Sequence, residues 1–296
     1  MGLPNAVAVA NGKGGVGKTS LTANVAGTAA LSGWRVLAVD LDAQGNLGND
    51  LGYNDDGRSD RGRGLLQAVV AGTAPTVLRD VRPGLDVIAG GEATEELEAV
   101  LTTRQQRDGT AVAAVAEALA RVGEYQLVLI DCPPSSGVLL DAALTAARFL
   151  VIPTRADSGS LDGLAKVARR FAQVRGAGNP TIELLGVVLF DFGKNDRAVV
   201  RRVRDRLGED LAGAAPVFDT FIRNSRMAPG DMRELGVLAY EYETAATQAP
   251  RWFQDPTARR FSRSATGLAE DYQALTGEIL AAFAARRAAE LEVIGQ

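Results

Sequence analysis

The sequence contains no histidine and a single cysteine, Cys132. The first absence excludes Ser-His-Asp triads, Cys-His dyads and His-ligated zinc. The second excludes intramolecular disulfides and CxxC metal sites. Any chemistry must therefore rest on carboxylates, lysines, hydroxyls and backbone amides. There is also no apolar run of about 18 residues, so a membrane-spanning helix is not expected. Met1 to Ala10 has no basic leader, and the glycine-rich segment begins too early for a signal peptide. A cytoplasmic location follows as the expectation by elimination. The net charge of −4 argues against a surface basic throughout, but it permits a local basic patch. The 296 residues, 46% hydrophobic and 23% charged, read as an ordinary globular protein able to bury its core without disulfides.

Short apolar runs alternate with longer helical patterns. Ala6–Ala10, Arg35–Asp40, Leu85–Ala89, Gln126–Asp131, Phe149–Pro153 and Leu184–Phe190 read as strands, and Lys18–Leu31 and Thr110–Val122 as helices. Continuous apolar runs imply a sheet covered on both faces. Strands alternating with helices imply an α/β fold, a doubly wound, mostly parallel sheet flanked by helices. In such sheets ligands bind at the carboxyl ends of the strands. Two stretches, 54–64 and 244–262, read as loops, the first of them mobile. A last helix is expected over about 265–292. Neither loop looks like a linker, so residues 1–296 are expected to form one domain.

Gly12-Lys13-Gly14-Gly15-Val16-Gly17-Lys18-Thr19 matches GxxxxGK(S/T) between a strand and a helix, the context this phosphate-binding motif requires. The alternative is a glycine-rich turn that binds nothing. The glycines let amides wrap phosphates, and the helix that follows, with Ser20 in its first turn, offers its N-terminus to negative charge. Lys18 should reach the β- and γ-phosphates, and Thr19 should ligate Mg2+. Lys13 is either a solvated loop lysine or a second cation for the γ-phosphate, acting in cis or from a partner subunit. Asp40 and Asp42 alternate at the end of the second strand, so both can point the same way. Leu127 to Asp131 is an apolar run ending in an acid, as a magnesium-holding Walker B strand should be, although Asp131 could instead cap a helix or lie on the surface. Cys132, with no histidine to activate it, reads as a small buried residue.

KGGVGKT resembles the deviant Walker A loop of the ParA/MinD family, and the resemblance is strongest to ParA (Soj-like) partitioning proteins. Asp40 to Asn46 resembles the family's DxDPQGN segment with Ala43 in place of proline. Asp131 to Ser135 resembles its DxPPS turn, and the stretch through Arg223, Asn224 and Arg226 resembles its PRN segment, with Ile222 replacing the usual proline and Gly230-Asp231-Met232 departing from the pattern. The resemblance implies a P-loop fold and an ATP- and Mg2+-dependent hydrolase. In it Lys13 crosses an ATP-sandwich homodimer, Asp42 orients the attacking water, Asp40 supports the magnesium shell, and Arg223 and Asn224 lie beside adenine. It further implies non-specific DNA as a partner, a nucleoid-associated location, hydrolysis stimulated by a ParB-like protein, and no stable membrane insertion. With the first strand beginning so early in the sequence, site-specific operator binding through an added helix-turn-helix domain is not expected.

Other classes make different demands. Iron–sulfur relatives need paired cysteines. A MinD-like membrane-cycling protein would end in a basic, bulky amphipathic helix rather than AAFAARRAAELEVIGQ. A metabolic P-loop ligase would not need Lys13 to cross a dimer, and a scaffold that binds ATP without hydrolysis would not need Asp42 and Lys13 together. In the helix of Asn195–Gly208, Val199, Val200, Val203 and Leu207 are expected to face the core. Arg197, Arg201 and Arg204 would then line one flank, with Arg202 and Arg206 on the other; Arg223 and Arg226 could join them. This is either a solvated helix face or a DNA-binding surface.

Overall fold

The structure, a computed structural model, describes residues 2–54, 56–134, 137–193, 196–210, 216–225, 228–250, 257, 259–262 and 265–294. The amino-terminal half runs β1 (Leu3–Val9), α1 (Lys18–Leu31), β2 (Val36–Asp40), α2 (Asn46–Asp50), α3 (Arg63–Ala71), β3 (Leu78–Arg82), β4 (Leu85–Ile88), α4 (Ala93–Asp108), α5 (Ala113–Leu119) and β5 (Leu127–Asp131). There follow α6 (Val138–Ala146), β6 (Ala147–Thr154), α7 (Ser158–Ala177), β7 (Glu183–Phe192), α8 (Arg197–Asp210), β8 (Ile222–Arg223), α9 (Ala228–Leu235), α10 (Ala239–Gln248) and α11 (Ala265–Ile294).

Among the described residues eight strands form one sheet in the order β3-β4-β2-β5-β1-β6-β7-β8. All neighbours are parallel except β3 and β4. The apolar runs read from the sequence are its central strands. Ala6, Ala8, Leu37, Val39, Val128 and Ile130 point to one face, which carries α5 and α6. Val7, Val9, Val36, Ala38, Leu127 and Leu129 point to the other, which carries α1 and α11. The period of two along each strand sorts these residues between two dry layers. The chain leaves β1 through α1 on one face and leaves β5 through α6 on the other. The carboxyl ends of β1 and β5 therefore flank the crevice where doubly wound sheets bind ligands.

α11 docks through Leu268, Tyr272, Leu275, Ile279 and Phe283, which recur at helical spacing and are all buried. Phe283 meets Phe149 edge-on with ring centroids 5.6 Å apart. At the far end buried Arg148 joins the start of β6 to Glu183 of β7 and Glu290 of α11. No helix among the described residues is long and apolar enough to cross a membrane.

The structure departs from the sequence reading in its edges. β3 is not predicted by the sequence, because LRDVR is too polar to stand out as a strand, and β8 is only two residues long. α4 is not predicted either. α3 begins inside the stretch read as the 54–64 loop, and α10 extends through Thr244–Gln248, which the sequence reads as loop. Residues 251–256 of that second stretch lie outside the described residues.

One packing contact has a measurable consequence. Gly27 sits mid-helix in α1, and a Cβ there would come within 2.1 Å of Leu238 Cδ1. Alanine ordinarily stabilises a helix interior by about 1 kcal/mol over glycine. Here overpacking is expected to win, so Gly27→Ala should lower stability by about 1–3 kcal/mol in chemical unfolding, whereas a gain would show that Leu238 yields freely.

Candidate functional site

The loop from Gly12 to Thr19 joins β1 to α1. Gly15 (φ 74°) and Gly17 (φ 91°) take left-handed conformations there, and a Cβ on Gly14 or Gly15 would meet nothing within 4 Å. The loop therefore borders open space at Gly14 and Gly15, as a phosphate cradle requires, while the Gly12 and Lys13 amides are already engaged by the Gly163 carbonyl and Asn11 Oδ1. Gly17 is pressed against the Phe190 ring, where a Cβ would come within 2.6 Å. Val16 is buried beneath the loop. Lys18 is also buried, at 6% exposure, and its ammonium donates back to the Lys13 carbonyl at 3.2 Å. Burial lowers its pKa, opposed by the negative charge of Asp131 and Asp42.

The carboxylates converge beside this loop. Asp40 and Asp131 are register partners on β2 and β5, and Asp131 also pairs with Val9 at the end of β1. Both are fully buried. Asp40 accepts from the amides of Asp42 at 2.9 Å and Leu47 at 3.3 Å. Burial, with the neighbouring Asp131 charge, still pushes its pKa well above the usual carboxylate range. Neither Asp131 oxygen has a hydrogen bond of normal geometry among the described residues. Burial raises its pKa, while the nearby Thr19 hydroxyl and Lys18 ammonium pull the other way. Asp42 Oδ1 accepts from the Gln44 amide at 3.0 Å. The thiol of Cys132 is buried and its pKa is driven up by desolvation, as befits a packed residue rather than a nucleophile.

A buried, orphaned carboxylate facing a buried lysine and a threonine hydroxyl is a costly arrangement in an empty protein. It suits a hard cation held between protein oxygens and phosphates. Among the described residues no three acidic side chains form a closed metal cage. Mg2+ commonly takes one or two carboxylates together with substrate phosphates, and Asp131 beside the Thr19 hydroxyl is such a donor set.

Lys13 is held in cis. Its ammonium forms an ion pair with Asp157, the N-cap of α7, and lies 3.4 Å from Ser160 Oγ. The Lys13 amide donates to Asn11 Oδ1 at 2.9 Å, and Asn11 Nδ2 donates to the Pro153 carbonyl at 2.8 Å. α7 lies so close that a Cβ on Gly163 would come within 2.2 Å of Asn11 Oδ1. Sequence reading missed Asn11, Asp157, Ser160 and Gly163. Only an Asp-x-x-Ser cap signal could have pointed to the helix start, and nothing local pairs it with Lys13.

Beyond the first turn of α1 the loop opens into a cleft of about 250 Å³, bounded by Ser20, Asn24, Phe190, Arg223, Arg233 and Tyr272. Arg223 lines this cleft, and its guanidinium is clamped to Asp271 through Nε at 2.7 Å and Nη2 at 2.6 Å. Asn224 lies beside the wall. Its side chain donates to Asp191, and its amide donates to the Phe192 carbonyl at 2.7 Å. Arg226 lies outside the described residues.

The arginine helix is α8, and its apolar stripe is narrower than expected. Val200 and Leu207 are buried and Val203 is half-buried, but Val199 is 43% exposed. Arg197 and Arg201 are exposed. Arg204 corrects the sequence reading. It turns inward and donates to the carbonyls of Phe218 at 3.2 Å and Asp219 at 2.6 Å, so its guanidinium holds the loop before β8 instead of facing outward.

A family model described as an AAA domain matches residues 5–184. The chromosome partitioning protein ParA of Caulobacter vibrioides is 37% identical over 250 residues, covering 82% of this chain and 90% of that protein. The chromosome-partitioning ATPase Soj of Thermus thermophilus is 36% identical over 229 residues, covering 75% and 82%. Among solved structures, cobyrinic acid a,c-diamide synthase from Mycobacterium smegmatis with a bound ATP analogue and magnesium superposes with a TM-score of 0.64. It is 26% identical and covers 88% of this chain and 100% of that one. The phosphate loop, the paired strand-end aspartates and the extent of these matches together place the chain in the ParA/MinD family of P-loop ATPases.

Proposed function

We propose that this protein is a magnesium-dependent partitioning ATPase that forms an ATP-sandwich dimer and then binds DNA without sequence preference, with hydrolysis stimulated by a ParB-like partner. The observation that carries the nucleotide reading is the orphaned Asp131 carboxylate, buried opposite Lys18 and Thr19 at the mouth of the phosphate loop. The loop amides and Lys18 bind and orient the β- and γ-phosphates. Thr19 and Asp131 would hold Mg2+, with Asp40 behind them. The ion would neutralise charge on the phosphate oxygens. Asp42, on the segment that Asp40 pins through two amides, orients the attacking water.

Lys13 supplies the second cation from the partner subunit. Its cis ion pair with Asp157 does not oppose this strongly. The two side chains are 39% and 46% exposed, and such pairs contribute about 0–1 kcal/mol. Transfer of Lys13 to a γ-phosphate therefore costs little in broken contacts, and dimerisation can follow ATP rather than precede it.

Exposed Arg197 and Arg201 on α8 support the DNA reading. One protomer offers too few cations for strong binding, but a dimer doubles them and gains avidity without new contacts. Steady-state ATP hydrolysis with and without Mg2+ and DNA, alongside sedimentation, tests the proposal. Hydrolysis that needs Mg2+, rises with DNA and accompanies dimer formation is expected. Normal turnover by a strict monomer would overturn the dimer. Arg197→Glu with Arg201→Glu should weaken DNA binding in ATP by about tenfold or more and flatten its salt dependence, with basal ATPase retained. Unchanged DNA affinity would remove α8 from the interface.

A further inference from the structure

α2 is held at both ends. At its start the Leu47 amide donates to Asp40 in the acidic cluster. At its end Asp50 Oδ2 accepts from Ser20 Oγ at 3.0 Å, and Asp50 Oδ1 accepts from Arg233 Nε at 2.6 Å. Asp50 is buried, whereas the Arg233 side chain is 45% exposed and lines the cleft next to the phosphate loop. Only Nε of that guanidinium is engaged among the described residues, so its other two nitrogens remain available towards the cleft. Ser20 lies in the first turn of α1, directly after Thr19.

We propose that Arg233 is a positioning residue that reads the nucleoside part of the bound nucleotide and, through Asp50 and α2, steadies the carboxylate of Asp40. The inference rests on the nucleotide reading above and deepens it. The phosphate loop alone would bind any polyphosphate. A contact from the free edge of Arg233 to the sugar or base fixes the guanidinium. A fixed guanidinium holds Asp50 between two donors, Ser20 from the phosphate side and Arg233 from the nucleoside side. Because α2 is a single short helical turn with Asp50 at one end and the Leu47 amide at the other, ordering one end is expected to order the other. The Asp50 bond is charge-assisted and its carboxylate is buried, while the guanidinium stays partly open to the cleft, so the pair can respond to what occupies the cleft. In this arrangement the catalytic aspartates are fully set only when both halves of the nucleotide are present, which discriminates against bare polyphosphate.

Hydrogen exchange of the 46–51 backbone in the full chain tests this, with Mg2+ and either a non-hydrolysable ATP analogue or inorganic tripolyphosphate at saturation. The analogue is expected to slow exchange at Leu47 and Gly48 about tenfold more than tripolyphosphate does. Arg233→Ala should erase that difference while leaving protection of the phosphate loop by either ligand intact, which also verifies that the variant is folded. Arg233→Lys keeps the charge but cannot grip Asp50 and reach the cleft together, so it should behave like the alanine variant. Equal protection of α2 by both ligands in the wild type, or an undiminished difference in Arg233→Ala, would overturn the proposal. Failure of the ATP analogue to bind, read separately by calorimetry, would instead overturn the nucleotide reading on which it stands, and failure of tripolyphosphate alone would overturn the premise that the phosphate loop binds polyphosphate unaided.

Discussion

Lys18→Ala is expected to abolish ATP binding, with a loss of at least about a hundredfold in affinity, because more than one charge-assisted hydrogen bond to phosphate disappears. The surroundings enlarge the effect. Lys18 is buried, and Asp40, Asp42 and Asp131 crowd the same crevice. Without the ammonium, a polyphosphate entering the loop meets three aspartates without the buried cation that faces them. The loss should not come from unfolding. Burial lowers the Lys18 pKa, against the pull of Asp131 and Asp42, so its charge contributes little to folding, and the hydrogen bond that its ammonium makes among the described residues is to the Lys13 carbonyl. Calorimetric titration with ATP and Mg2+, paired with thermal unfolding of the apo protein, separates the two explanations. Affinity within a few-fold of wild type would remove Lys18 from the phosphate site. Lys13→Ala is the natural contrast. It should bind ATP normally but fail to dimerise, since the ion pair it loses is exposed and its proposed target lies on the other subunit.

How much of this is legible in the sequence depends on distance along the chain. The phosphate loop, α1 and the acid-ended strands are local, so glycine placement, apolar runs and strand ends specify them without tertiary knowledge. α1 begins and ends where the sequence predicts. The edge strand β3 is not legible although its partner is the next strand of a hairpin, because its outward residues are charged and break the apolar pattern. α8 departs from its sequence reading by a single position. Val199 and Val200 are adjacent, periodicity alone puts both on the core side, and only packing reveals that the stripe runs through Val200, Val203 and Leu207. That shift turns Arg204 towards the 218–219 carbonyls. Lys13–Asp157 and Asp50–Arg233 join residues 144 and 183 positions apart, and no spacing rule reaches that far. The sequence therefore names the groups that meet the phosphates but not those that hold these groups in place.

Asp42→Ala should retain ATP and lose turnover, with the rate of hydrolysis falling on the order of a hundredfold or more, as expected when a group that positions or deprotonates the attacking water is removed. Its backbone is fixed by donation to Asp40 Oδ1, and its own Oδ1 accepts from the Gln44 amide. Oδ2 then has no partner among the described residues and is the oxygen available to a water. Binding should survive for an electrostatic reason. The Asp42 charge adds to the repulsion that raises the pKa of both Asp40 and Asp131. Removing it lowers the negative charge that the nucleotide phosphates must approach, so affinity for ATP should hold or improve. A loss confined to kcat with KM unchanged is the signature of an interaction made in the transition state alone, and a lower KM would report the relieved repulsion towards the bound phosphates. Because hydrolysis is what would release the proposed dimer, the variant should accumulate as a stable ATP-bound dimer in sedimentation, where the wild type shows a transient one. Asp42→Asn keeps the shape and the Gln44 contact but not the charge. It should resemble the alanine variant if the carboxylate takes a proton or orients water through its charge, and resemble the wild type if the side chain only braces the loop. Wild-type turnover in both variants would remove Asp42 from the chemistry and leave it as the turn residue that its Gln44 bond also makes it.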